Sequence, residues 1–80
     1  MASTLERIQK VTAELLGVPA AKAIESAKFV EDLGAESTQS IELVVSLEEE
    51  FGIEMDEAGA LGVKTVGDAV KFIDAALAKK

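Results

Sequence analysis

The side chains able to do chemistry in this 80-residue chain are few, and two types are missing. The sequence contains no His and no Cys, which excludes the commonest general base, a thiolate nucleophile and the usual zinc ligands. Acidic neighbours such as Glu31 and Asp32 lack the spacing of a calcium-binding loop. Glycine-rich phosphate loops and hydrolase motifs are absent. The sequence therefore predicts a protein that is not an enzyme and has no metal site.

The hydroxyl of Ser37 lies in a sequence context in which it could take part in chemistry. It follows Gly34, which permits a tight turn, and it precedes an amphipathic segment. A helix N-terminus presents unpaired N–H groups and the positive end of the helix dipole, so a phosphodiester on Ser37 would be stabilised there. On the local pattern alone, a helix N-cap with no further role is the simpler interpretation.

Three strong helical patterns and one weak pattern surround this serine. They predict helices over about Thr4–Leu16, over Ser37–Phe51 and from Val66 onward, with a weak turn over Asp56–Leu61. Between the first two helices the chain is mostly loop. The predicted fold is a single all-α domain over residues 1–80, a small four-helix bundle with three main helices, one short weak helix and a long first connection.

Local signals support these boundaries and define a candidate core. Ser3 with Glu6 has the form of a capping box, and Thr65 is the expected N-cap of the last helix, with Asp68 in its first turn, where it suits the helix dipole. We expect three apolar residues of the first connection to pin it to the core, namely Phe29, Val30 and Leu33. The apolar stripe of the second helix comprises Ile41, Val44, Leu47 and Phe51, broadened by Leu43 and Val45.

The charge of the chain is acidic and unevenly distributed. The net charge is −7, yet the segment from Glu31 to Glu57 holds ten acidic residues and no Lys or Arg. This argues against nucleic acid and anionic membrane surfaces as partners and favours proteins with basic patches. The apolar runs are too short for membrane insertion or a secretory signal. We expect a cytoplasmic monomer.

The stretch from Phe29 to Ile53 resembles the acyl carrier proteins. The resemblance rests on Phe29–Ala35 (FVEDLGA), Ser37, Glu42–Val44 (ELV) and Leu47–Phe51 (LEEEF). It extends in register to Leu16-Gly17-Val18 near the start and Thr65-Val66 near the end. It therefore covers nearly the whole chain.

The resemblance implies that a phosphopantetheinyl transferase attaches 4′-phosphopantetheine from coenzyme A to Ser37. It also implies that the terminal thiol of this arm holds acyl groups as thioesters for partner enzymes of fatty-acid or lipid biosynthesis. Residues implied beside the cofactor are Gly34, Glu36 and Thr38. Residues implied to bind the transferase and the acyl-transferring and acyl-modifying enzymes, through their basic patches, are Glu36, Gln39, Glu42, Val45, Glu48 and Glu49. The side chains of Glu42, Glu48 and Glu49 are expected to point to solvent.

The chain departs from the family pattern around the serine. The family's usual Asp-Ser-Leu is here Glu36-Ser37-Thr38, and Gln39 stands where an acid is usual. These departures indicate a specialised carrier, modified by either a generic or a dedicated transferase. Two alternatives stay open. One is a peptidyl, aminoacyl or polyketide carrier with the same arm. The other is an acidic helical binding module whose serine stays unmodified.

Overall fold

The computed structural model describes residues 3–55 and 57–79, and four α-helices lie in this part of the chain. They are α1 (Thr4–Leu16), α2 (Ser37–Phe51), α3 (Glu57–Gly62) and α4 (Val66–Ala78). One 3-10 turn, Ala20–Lys22, lies in the long first connection. The described residues form no strand, and none of their helices is long and apolar enough to cross a bilayer. The predicted helical bundle is confirmed.

The first and last long helices begin at the caps that the sequence predicts, Ser3 and Thr65, and both caps are reciprocal capping boxes. At α1 the backbone N–H of Glu6 donates to Ser3 Oγ over 3.1 Å. At α4 the N–H of Asp68 donates to Thr65 Oγ1 over 3.1 Å, while the Thr65 N–H donates back to the Asp68 carboxylate. Two contacts lower the pKa of Asp68: first the hydrogen bond from the backbone N–H of Lys64, and then the hydrogen bonds with Thr65. The contribution of the Asp68 carboxylate to stability is therefore present above its ordinary pKa and is lost as the pH falls through the lowered value.

The core lies where α1 packs against both α2 and α4. Ile8 of α1, Leu47 of α2 and Ile73 of α4 are completely buried. Burial of such side chains contributes about 1.5–3 kcal/mol each before the entropy of ordering them is subtracted. The core therefore orients α2, and with it Ser37.

Two residues of the predicted stripe on α2 are not in the core. Ile41 is 66% exposed and Val45 is 46% exposed, whereas Leu43, Leu47 and Phe51 are buried. With about 3.6 residues per turn, the buried three lie on one side of the helix and the exposed two on another. The prediction that Ile41 and Val45 extend the core stripe was wrong, because the apolar residues of α2 cover a wider arc of the helix than the side that is buried.

Backbone hydrogen bonds fix the first connection to the start of α4. Phe29 N–H donates to Lys64 O and Val66 N–H donates to Ala27 O, each over 3.0 Å. Phe29 and Leu33 are consequently buried, as expected, but Val30 is 61% exposed and does not pin the connection to the core. This connection forms one wall of the site described next.

Candidate functional site

Ser37 is the first residue of α2, and its side chain is exposed. Its hydroxyl makes no hydrogen bond within residues 3–55 and 57–79. The preceding residue, Glu36, is the N-cap, so the interpretation of Ser37 as the cap is wrong. A hydroxyl that the fold leaves unbonded at the surface can be modified without loss of a structural hydrogen bond.

The start of α2 is held by residues on either side of this hydroxyl. The N–H of Glu36 donates to Gln39 Oε1 over 2.9 Å, and the Ser40 hydroxyl donates to Glu36 O over 3.1 Å. Gln39 is half-buried, and it completes the cap where an acid is usual in acyl carrier proteins. Gln39 stands at the third helical position, where Gln or Glu completes a capping box, but Glu36 is not the usual Ser or Thr at the cap, so the sequence indicated this role only weakly.

The turn before Ser37 depends on Gly34. Its φ is +72°, a left-handed conformation that residues with a Cβ adopt only at a cost. Ala35 N–H then donates back to Phe29 O over 2.9 Å, and Asp32 Oδ2 accepts from Lys28 N–H over 2.8 Å. These hydrogen bonds fix the conformation of the loop and therefore the direction in which the backbone enters α2 at Glu36.

The first turn of α2 suits an anionic group on Ser37. The N–H groups of Ser37 and Thr38 have no hydrogen-bond acceptor in the described part of the chain. Unpaired N–H groups and the helix dipole together stabilise phosphate at such a position. Thr38 and Glu36 are exposed beside the serine, and no basic side chain is needed for the electrostatics.

A cavity of about 510 Å³ lies beneath this end of the molecule. Its volume is in the range of small-molecule sites, and its wall is mostly apolar. The apolar lining comes from the first connection, α2, α3 and the segments around α3, as Phe29, Val30, Leu43, Val44, Leu47, Met55, Ala60 and Val63. Ser40, one turn after Ser37, also lines it. The sequence did not define this cavity, because its walls come from four separate segments.

Charged side chains also line this cavity. They are Lys28, Glu31 and Lys64. Lys28 Nζ lies 3.1 Å from Glu31 Oε2, and this hydrogen bond raises the pKa of Lys28. Both side chains are more than half exposed, so water screens the pair and it adds little stability.

Five exposed residues form a continuous side of α2 that begins beside Ser37. We call it the outer face, and it comprises Thr38, Ile41, Glu42, Val45 and Glu49. Spacings of three and four residues place these side chains next to one another. Exposed apolar residues flanked by acids are typical of a surface that binds a protein carrying apolar and basic groups. Glu42 and Glu49 point to solvent as expected. Ile41 is exposed as well, although the sequence placed it in the apolar stripe and not among the residues that bind partners.

The other two glutamates of the run Glu48–Glu50 have partners within the fold. Glu48 is half-buried, and its Oε2 accepts from Met55 N–H over 3.0 Å. Glu50 accepts from Arg7 Nε over 2.9 Å, and the Arg7 guanidinium also lies 4.2 Å from the centre of the Phe51 ring. The expectation that Glu48 points freely to solvent was therefore wrong, because the segment after α2 folds back over it.

The comparisons with known proteins agree with this geometry. A family model described as the phosphopantetheine attachment site matches residues 6–73. An acyl carrier protein from Enterococcus faecalis matches in structure with a TM-score of 0.73 and 31% sequence identity. That match covers 94% of this chain and 99% of the other.

Together these features define a carrier domain, a helical bundle that bears 4′-phosphopantetheine covalently and performs no catalysis itself. The chain belongs to the acyl carrier protein family. Carriers of this type are modified by phosphopantetheinyl transferases and interact with enzymes. The predicted family, cofactor and non-catalytic character are confirmed.

Proposed function

We propose that Ser37 carries the 4′-phosphopantetheine arm and that the chain presents fatty or other lipid acyl groups to biosynthetic enzymes. The observation that carries the proposal is the position of Ser37. Its unbonded hydroxyl lies at the first residue of α2, with two free N–H groups beside it and the apolar cavity below. The arm supplies a terminal thiol that carries acyl groups as thioesters, a chemistry that a chain without Cys cannot supply.

The residues around Ser37 have separable tasks in this proposal. Glu36 and Gln39 hold the helix start in place, so the serine is presented at a fixed position. The free N–H groups of Ser37 and Thr38 balance the charge of the phosphodiester. Gly34 supplies the turn that leaves room for the transferase to reach the hydroxyl.

The attachment site is tested by intact mass after incubation with coenzyme A, magnesium and a broad-specificity transferase. We expect wild type to gain the mass of one phosphopantetheine group and Ser37→Ala to gain none. Ser46→Ala on the same helix is the matched control, because the Ser46 hydroxyl has no hydrogen-bond partner among the described residues, and it should gain the full mass. A gain in Ser37→Ala would refute the assignment, and no gain with any transferase would support an unmodified binding module.

The cavity favours a lipid cargo over an aminoacyl or peptidyl cargo. Eight of the twelve described residues that line it are apolar, and an aminoacyl group would place an ammonium against them at a large desolvation cost. We expect octanoyl loading to shift the backbone amide resonances of Leu43, Val44 and Met55, whereas glycyl loading leaves them unchanged. Equal shifts with both cargoes would argue against lipid specificity.

The outer face is proposed to dock the partner enzymes. Ile41 and Val45 supply apolar contacts, while Glu42 and Glu49 are available to Arg and Lys of the partner. Gln39 was also expected to contact partners, and its half-buried cap geometry favours an indirect contribution through the position of Ser37. Cytoplasmic location and a monomeric state remain part of this proposal.

A further inference from the structure

Glu48 makes three hydrogen bonds to the segment that follows α2. Its backbone carbonyl accepts from Gly52 N–H and from Ile53 N–H, the latter over 3.2 Å. Its carboxylate accepts from Met55 N–H over 3.0 Å. Backbone and side chain of one residue thus hold a segment whose Ile53 and Met55 are both buried. The carboxylate has a partner inside the fold, whereas that of the exposed neighbour Glu49 has none among residues 3–55 and 57–79.

Met55 connects this hydrogen bond to the cavity. Its side chain is only 8% exposed and lines the cavity wall beside Leu47. The next wall element, α3, has six residues including Gly59 and Gly62. A helix of that length is unstable alone, so its position depends on the segments that attach it to the bundle.

We propose that Glu48 is a positioning residue for the cavity and that its carboxylate acts as a latch on Met55. The latch fixes the wall of the cavity on the side of α3 and thereby sets how well an acyl chain fits. Glu48 then acts through the fold, whereas Glu42 and Glu49 of the outer face act on partners. The part concerning cargo rests on the proposed function, while the latch itself is a property of the unmodified protein.

The first test measures hydrogen exchange of the Met55 amide in the unmodified protein. Glu48→Ala removes the acceptor, and we expect exchange to become roughly tenfold faster or more, as for loss of a hydrogen bond to a charged group. Glu48→Gln removes the same charge but keeps an acceptor oxygen, so exchange should lie between wild type and Glu48→Ala, since a neutral acceptor bonds more weakly than a carboxylate. Glu49→Ala, the adjacent exposed position, is the matched control and should exchange like wild type.

Two outcomes would overturn the latch. One is wild-type exchange at Met55 in Glu48→Ala. The other is equally fast exchange in Glu48→Gln and Glu48→Ala, since the charge and not the acceptor would then matter. Faster exchange throughout the chain would indicate global destabilisation, and urea unfolding of the same variants measures that contribution so that it can be subtracted.

The second test measures the rise in melting temperature when the phosphopantetheine form is loaded with an octanoyl group. We expect Glu48→Ala to lose at least half of the rise seen in wild type, while Glu48→Gln and Glu49→Ala keep it. An unchanged rise in Glu48→Ala would overturn the role in cargo fit. Failure of the proposed function is distinguishable, since it would appear as no mass gain at Ser37 or no octanoyl effect in wild type.

Discussion

The two sides of α2 carry similar apolar residues in different surroundings. The inner side presents Leu43, Leu47 and Phe51 to the core, and all three are at most 6% exposed. The outer face presents Ile41 and Val45 to solvent between acidic side chains. Apolar character alone does not separate the two sides, because both carry large apolar residues. The difference is whether α1 and the first connection cover the side chain. The covered inner side therefore stabilises the fold, whereas the uncovered outer face is available to bind a partner.

The largest expected effect comes from truncation on the inner side. Leu47 is 1% exposed, so Leu47→Ala should lower the free energy of unfolding by about 2–5 kcal/mol through lost burial and a cavity. Such a loss is a large part of the stability of a small domain. Urea unfolding followed by circular dichroism measures it.

Val45→Ala on the same helix is the control for that truncation. Because Val45 is 46% exposed, its loss should cost less than about 1 kcal/mol, while partner association weakens. Similar stability losses at Leu47 and Val45 would contradict the division of α2 into two sides.

The acidic run shows the same division at the level of single carboxylates. Glu48, Glu49 and Glu50 are consecutive and identical in type, yet one binds Met55 N–H, one is exposed and one binds Arg7. Because successive residues on a helix point in different directions, each carboxylate has its own neighbours. The acidity of the run does not indicate how many of its charges are available to a partner.

An intermediate effect is expected at Arg7. Its guanidinium donates to the carboxylate and the backbone carbonyl of Glu50 and stacks on Phe51. The Arg7 and Glu50 side chains are 37% and 39% exposed, so solvent weakens the pair. We expect Arg7→Ala to lower stability by about 1 kcal/mol.

Arg7→Lys serves as the control, because it keeps the charge but not the planar fork that reaches two oxygens. It should recover less than half of the loss in the same unfolding measurement. Full recovery by Lys would show that charge, and not geometry, joins α1 to the end of α2.

The sequence predicted the helices well because their signals are local. The capping box of Ser3 with Glu6 and the glycine at position 52, whose φ is +64°, mark the helix boundaries within a few residues. The position of Ser37 next to a helix start was also predictable. By contrast, the exposure of Ile41, the cavity and the bond from Met55 to Glu48 depend on contacts between separate segments. Periodicity along one helix cannot specify those contacts.

The smallest effect on stability is expected from charge reversal on the outer face. Glu42 and Glu49 are the two exposed acids of the outer face. In Glu42→Lys combined with Glu49→Lys, the free energy of unfolding should stay the same or rise by a few tenths of a kcal/mol, since a Lys in the last turn of α2 suits the helix dipole and the net negative charge decreases. Association with a phosphopantetheinyl transferase should weaken, and its dependence on salt should flatten, because the reversed charges no longer attract basic residues. Titration calorimetry at two salt concentrations measures both quantities, and Glu25→Lys in the first connection, exposed outside the outer face, controls for the change in net charge. If the double reversal and Glu25→Lys reduced association equally per charge, the whole-molecule field would account for binding and the outer face would lose its role as a docking surface.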